Sequence, residues 1–332
     1  MASRKHAALF LQSLKAFLNA RAMRYAVSLT SIVVVVIGLI VSAQHTHLDK
    51  VVNAILQSDT RWVIATCILI LAGQLLRLDR WRAIQPLDLH HAAFAIFGGQ
   101  TINWISPIRV GDLWRLQTVR TNSEGWTSGA VSLLIEKFGD LVALTLLAVV
   151  ASFSPLPPAL SSVFFRFLFA LITVCLVIAL VITARKITNQ NLKTPAQVRN
   201  FFTKLSAQFN RPDVWKRAMI YSIGIWVFAA LNIFTLGRAF QIEFSLSMCL
   251  ALIFAFQIGV TVAAVPGNLG IFPLASMSVL PFFGVDLNVA ASYGILLHAL
   301  AFGILILLFS LSAVYRYLSI RATQGVIRHD PA

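Results

Sequence analysis

The stretch Asn103-Trp104-Ile105-Ser106-Pro107-Ile108-Arg109-Val110-Gly111-Asp112-Leu113-Trp114-Arg115 decides how the chain is read. It lies in an apolar region, residues 91–120, and interrupts that region at Ser106-Pro107. Proline removes a helix N–H and clashes with the preceding turn, so a single straight span is not available. A break at membrane depth is tolerated only where protein or a water-filled cavity surrounds it. A second apolar region, 246–283, breaks in a similar way at Val265-Pro266-Gly267-Asn268-Leu269-Gly270. Both regions are read as re-entrant helical hairpins, with a pair of tight spans in each as the alternative.

The rest of the sequence supports a membrane setting. Of 332 residues, 58% are hydrophobic and 12% charged, about half the charged share of an ordinary water-soluble domain. Six stretches are long and apolar enough to cross a bilayer: 25–43, 62–78, 128–151, 163–184, 217–237 and 289–314. With those six crossing and both broken regions returning to their own side, 22 Lys and Arg fall on one side and 4 on the other. That asymmetry places both termini in the cytoplasm. It also accounts for a formal charge of +15 without nucleic acid as a partner. The expectation is an all-α polytopic bundle of about six spans plus two re-entrant hairpins. A basic amphipathic cytoplasmic segment, 1–24, precedes one membrane domain, 25–316, with halves at about 62–151 and 217–314. A cytoplasmic linker, 185–216, and a tail, 317–332, complete the division. The first span is expected to be an uncleaved helix and not a signal peptide, because its basic lead is long and its apolar stretch is span-length. Residues 196–209 place Val198, Phe201, Phe202, Leu205 and Phe209 on one helical face, which suits a helix on the leaflet surface or a cap on the bundle.

The two broken regions sit in matching places. A span running inward, a hairpin from the cytoplasm and a span running outward are followed, after the linker, by the same three elements inverted. Pro107 and Gly111 in the first break correspond to Pro266 and Gly270 in the second, with Gly267 and Asn268 between. Paired, interrupted segments in inverted halves point to a transport site near the midplane.

Ionisable groups in such segments are functional candidates because burying them is costly. The first hairpin carries Asn103, Arg109, Asp112 and Arg115, and the next span carries Glu136, Lys137 and Asp140. On helices, Asp112 can meet both arginines, and Glu136 and Asp140 share a face beside Lys137. The set is formally neutral, so a mutually neutralising buried network is one reading. The other is a headgroup path in which a guanidinium takes a lipid phosphate in a bidentate way. Asn268 is the polar side chain of the second break. His298, in the last span, is read as a hydrogen-bonded helix contact, with a proton or polar relay as the alternative. Asp286 and Glu243 are read as plain loop charges. Cys67, Cys175 and Cys249 lie far apart inside apolar runs and supply neither a disulfide framework nor a metal site. No cofactor motif and no enzyme signature occurs, so neither a cofactor nor catalysis is expected.

These residues resemble the transmembrane, flippase-like region of lysylphosphatidylglycerol synthases and their stand-alone membrane relatives. The likeness rests on the 103–115 stretch, on Glu136-Lys137-Phe138-Gly139-Asp140 and on the 265–270 stretch, and it spans roughly 60–315. Asp112 stands where the family usually has Glu, Lys137 where it has Arg, Pro273 where it commonly has Glu, and His298 where an Arg is usual. The resemblance implies movement of a phospholipid or lipid-linked substrate between leaflets of a bacterial plasma membrane, with anionic headgroups as ligands. A non-transporting partner of envelope lipid or glycan synthesis, or a secondary transporter of a small anionic metabolite, are the alternatives. The sequence ends 18 residues after its last span, so it is read as a stand-alone membrane region without the aminoacylating domain.

Overall fold

The computed structural model describes residues 46–106, 110–121, 125–153, 211–262 and 265–327, with isolated positions at 33–44, 173 and 203–207. Within them every regular element is helical: α1 (Leu48–Leu56), α2 (Thr60–Ile84), α3 (Leu89–Ile105), α4 (Val110–Thr121), α5 (Gly125–Ser152), α6 (Pro212–Ala239), α7 (Leu246–Val262), α8 (Ile271–Val279) and α9 (Leu287–Ile327). The expected spans at 25–43 and 163–184 and the segment before residue 25 lie outside the described residues, as do nearly all of 196–209 and Cys175.

Local chemistry sets the helix ends. The Asp59 side chain accepts from the Arg61 N–H at 2.8 Å and starts α2, and Gln85, extended before Pro86, stops it. Pro212 opens α6 at a position where its missing N–H costs nothing. Asp286 is more than a loop charge. Its Oδ1 accepts from the N–H groups of Asn288 (2.9 Å) and Val289 (3.3 Å) and so caps α9. Burial would raise this carboxyl, but those hydrogen bonds, one from the Asn288 amide and nearby Lys50 hold it below its ordinary value.

Helices α2, α6 and α9 are long and apolar enough to cross a membrane. Helix α5 has the length, 28 residues, but carries Glu136, Lys137 and Asp140 at its centre. Outward faces are apolar: Ile64 and Ile68 of α2, Ile220 of α6, and Leu307 and Leu311 of α9 are all more than half exposed. Surfaces of that kind are stable against lipid and not against water. The chain is a multi-pass membrane protein.

Helix α2 packs most extensively on α6, and the buried Thr66 and Thr235 hydroxyls meet across that seam at 2.9 Å. Every other packing pair among the larger helices has a counterpart when α2, α3, α4, α5 are exchanged for α6, α7, α8, α9. Thus α3–α4 matches α7–α8, α4–α5 matches α8–α9, and α3–α9 matches α7–α5. Likewise α5–α6 matches α9–α2, α2–α3 matches α6–α7, and α2–α5 matches α6–α9.

The two broken regions are helix–break–helix pairs, α3–α4 and α7–α8, as the prolines predict. In the first pair the helices cross at glycine, because a Cβ on Gly111 would run into the carbonyl oxygen of Gly99. The Asn103 side chain accepts the Gly111 N–H at 2.8 Å and donates to Asp112 at 3.1 Å, closing the start of α4. In the second pair Gly267 (φ 71°) and Gly270 (φ 80°) hold left-handed backbone that a side chain would strain. Two expectations change here. The inward span ends not at 78 but at Ile84, and the helix of the last span, expected at 289–314, runs from Leu287 to Ile327. Hydropathy falls where arginines begin, but no helix breaker occurs before Pro86, so α2 continues through its charges.

Gly111→Ala is expected to lower stability by about 1–3 kcal/mol through overpacking of the α3–α4 crossing. Gly303→Ala, which meets nothing within 4 Å, is the control and is expected to leave the thermal midpoint in detergent unchanged or higher.

Candidate functional site

The centre of the bundle is an ion-pair network whose key member is Arg80 on α2. Its side chain is 1% exposed. Nη1 donates to Asp140 Oδ1 at 2.6 Å and to Ser222 Oγ of α6 at 2.8 Å, and Nη2 reaches Asp140 Oδ2 at 3.3 Å. Glu136 Oε1 lies 3.5 Å from the same guanidinium. Arg115 of α4 binds Glu136 with both nitrogens, at 3.0 and 2.5 Å, and stacks over Trp81 at 3.9 Å from the ring centre. Trp226 of α6 donates to Asp140 at 3.3 Å. Four helices are therefore joined through two carboxylates.

Sequence reasoning grouped the right carboxylates, and Arg115 and Lys137 beside them, but missed Arg80. Glu136 and Asp140 do share a face, yet they meet Arg80, which lies just past the end of the expected span 62–78. Arg77 and Arg80 both lie inside α2. The signal was the spacing of Gln74, Arg77 and Arg80, a polar stripe repeating every three residues on an otherwise apolar helix. Arg115 is committed to Glu136 and also pairs with Asp112 at 4.0 Å, while the second arginine expected at Asp112 is not among the described residues. Pro107 and Arg109 lie outside the described residues.

Beside this network is a cavity of about 470 Å³. Both breaks line it: Asn103, Trp104 and Ser106 from the first, and Val265, Asn268 and Phe272 from the second. The Trp104 and Phe272 rings stand 5.7 Å apart, so the two breaks meet in space. Arg77 and Lys137 supply charge, and Gln74, Gln100, Asn232 and Gln257 supply further amides. Of the predicted headgroup residues, Asn103, Lys137 and Asn268 line the cavity, whereas Asp112, Arg115, Glu136 and Asp140 stand behind it in the network. Gly111, Pro266, Gly267 and Gly270 shape the breaks without lining it. His298 lies behind Trp104 and Phe272, with ring centres 5.4 and 5.3 Å away. Among the described residues its Nδ1 has no hydrogen-bond partner, and its ring contacts are aromatic.

A family model described as the lysylphosphatidylglycerol synthase TM region matches residues 26–309, and the chain belongs to that family. No curated protein matches it.

Removing Arg80 leaves Asp140 without its one ion-pair partner among the described residues. Arg80→Ala is expected to cost about 3–5 kcal/mol in chemical unfolding, as for any buried pair broken from one side. Lys137→Ala, whose side chain is 46% exposed, is expected to cost less than about 1 kcal/mol.

Proposed function

We propose that this protein moves a phospholipid or lipid-linked headgroup between the leaflets of a bacterial plasma membrane, and that it is not an enzyme. The observation that carries the reading is the polar cavity at the meeting point of two broken segments, enclosed by helices with apolar outer faces. Irregular backbone around a polar cavity at membrane depth is the usual construction of a transport site. In this reading α3–α4 and α7–α8 are re-entrant hairpins entering from opposite faces, and the two halves form an inverted repeat. The one-to-one matching of packing pairs on exchange of the halves supports the repeat. The positive-inside asymmetry supports cytoplasmic termini. Membership of the lysylphosphatidylglycerol synthase TM region family supports a lipid substrate.

A lipid is favoured over a soluble anion by the rim of the cavity. Ile105, between the lining residues Trp104 and Ser106, and Leu269, next to Asn268, are 55% and 61% exposed. Acyl chains can stay against such side chains while the headgroup enters. Anionic phospholipids are the expected partners. A scaffold for envelope glycan synthesis would not need a cavity lined from both breaks.

Reconstitution in liposomes with a fluorescent phospholipid tests this. The wild type is expected to exchange lipid between leaflets at least ten-fold faster than protein-free vesicles. Asn268→Leu, which replaces a lining amide by an apolar group of similar size, is expected to remove most of that gain. Exchange no faster than in empty vesicles would overturn the reading.

A further inference from the structure

Among the described residues the charges around the cavity do not balance. Four cations, Arg77, Arg80, Arg115 and Lys137, stand with three carboxylates, Asp112, Glu136 and Asp140. Arg80 is held by Asp140 and Arg115 by Glu136, and Lys137 is 3.9 Å from Glu136. Arg77 makes no hydrogen bond or ion pair among the described residues, although it lines the cavity. No carboxylate lines the cavity among the described residues. One positive charge is thus left facing an open space.

A second observation concerns hydrogen bonding. One turn before Arg77 on the same helix face, the buried Gln74 Oε1 has no partner among the described residues. The side chains of Gln100, Asn232, Gln257 and Asn268, which line the same cavity, also make no hydrogen bond among the described residues. Guanidinium N–H groups want an anion, and an amide oxygen wants a donor. A phosphodiester carrying neutral hydroxyl groups supplies both. A cationic headgroup finds no counter-charge there.

We infer that the cavity selects a net monoanionic headgroup, a phosphodiester bearing a polyol or sugar, and discriminates against headgroups that carry an ammonium. The inference rests on the transport reading and narrows it: phosphatidylglycerol-like lipids are substrates, and aminoacylated ones are not.

Titration calorimetry of the full-length protein in detergent tests it, using short-chain phosphatidylglycerol, short-chain phosphatidylcholine, short-chain lysyl-phosphatidylglycerol and free glycerol phosphate. Phosphatidylglycerol is expected to bind at least ten-fold tighter than either ammonium-bearing lipid. Arg77→Gln is expected to weaken that binding at least ten-fold while leaving the thermal midpoint equal or higher, since it removes an uncompensated charge. Arg77→Lys is expected to recover part of the affinity. Equal or tighter binding of the lysyl lipid or of phosphatidylcholine, or an Arg77→Gln protein that binds as well as wild type, would overturn the inference. Glycerol phosphate binding as tightly as the lipid would support the headgroup chemistry and assign it to a soluble ester. Selective binding without leaflet exchange sinks the transport reading alone, and exchange that favours the lysyl lipid sinks the selectivity alone.

Discussion

An arginine inside an apolar bundle must be answered by carboxylate, and the rest of this structure is arranged around that constraint at Arg80. The guanidinium comes from α2, its carboxylates from α5, and a hydroxyl and an indole from α6 complete the site. Arg115 then brings α4 to the same carboxylates, which draws the first broken pair against the bundle. A buried ion pair is weak as a source of stability compared with an apolar substitute, but strong as a device for fixing register, because any slip leaves a charge alone. Here it fixes α2, α4, α5 and α6 at one depth. The polar side chains facing the cavity inherit their positions from that alignment.

What the network leaves over defines the site. A folded core satisfies its buried polar groups almost completely, so the buried Gln74 oxygen and the Arg77 guanidinium, neither with a partner among the described residues, are not ordinary packing. Each buried polar atom without a partner costs roughly 1–3 kcal/mol. At Gln74 that cost falls beside the cavity, where a ligand can offset it, while Gly98, Gly99 and Gly111 pack the neighbouring crossing closely.

Much of this was legible in the sequence. Pro107 and Pro266 fall inside apolar runs too long for one loop and too broken for one helix, so the two interrupted pairs could be read directly. Glu136 and Asp140, four apart in an apolar stretch, announced a buried charge site. The partner was hidden because span assignment stops where charge begins. Arg77 and Arg80 looked like the cytoplasmic end of a helix, and only the fold shows Arg80 answering the carboxylates of α5. Asn103 misled in the other direction. It lines the cavity as expected, but its amide is occupied in closing α4. Side-chain identity gives the capacity to bind, and packing decides which partner takes it.

The two halves share packing but not charge, and the difference follows from how the second half is built. Pro273 stands in the first turn of α8, and its Cα lies 2.6 Å from where a Cβ on Gly294 would be, so α8 and α9 touch through backbone. No ionisable side chain has room in that seam. His298, further along α9, is enclosed by Trp104, Phe272 and Phe302 and offers the cavity no charge. Among the described residues, every charged group lining the cavity therefore comes from α2 and α5, while α6, α7 and the second break contribute only amides and apolar surface. A scaffold with charge on both halves would hold an anion between two fixed poles. With charge on one half, an anion can stay bound to the α2–α5 side while the neutral side shifts against it, and the free energy of that shift does not include breaking a charge pair.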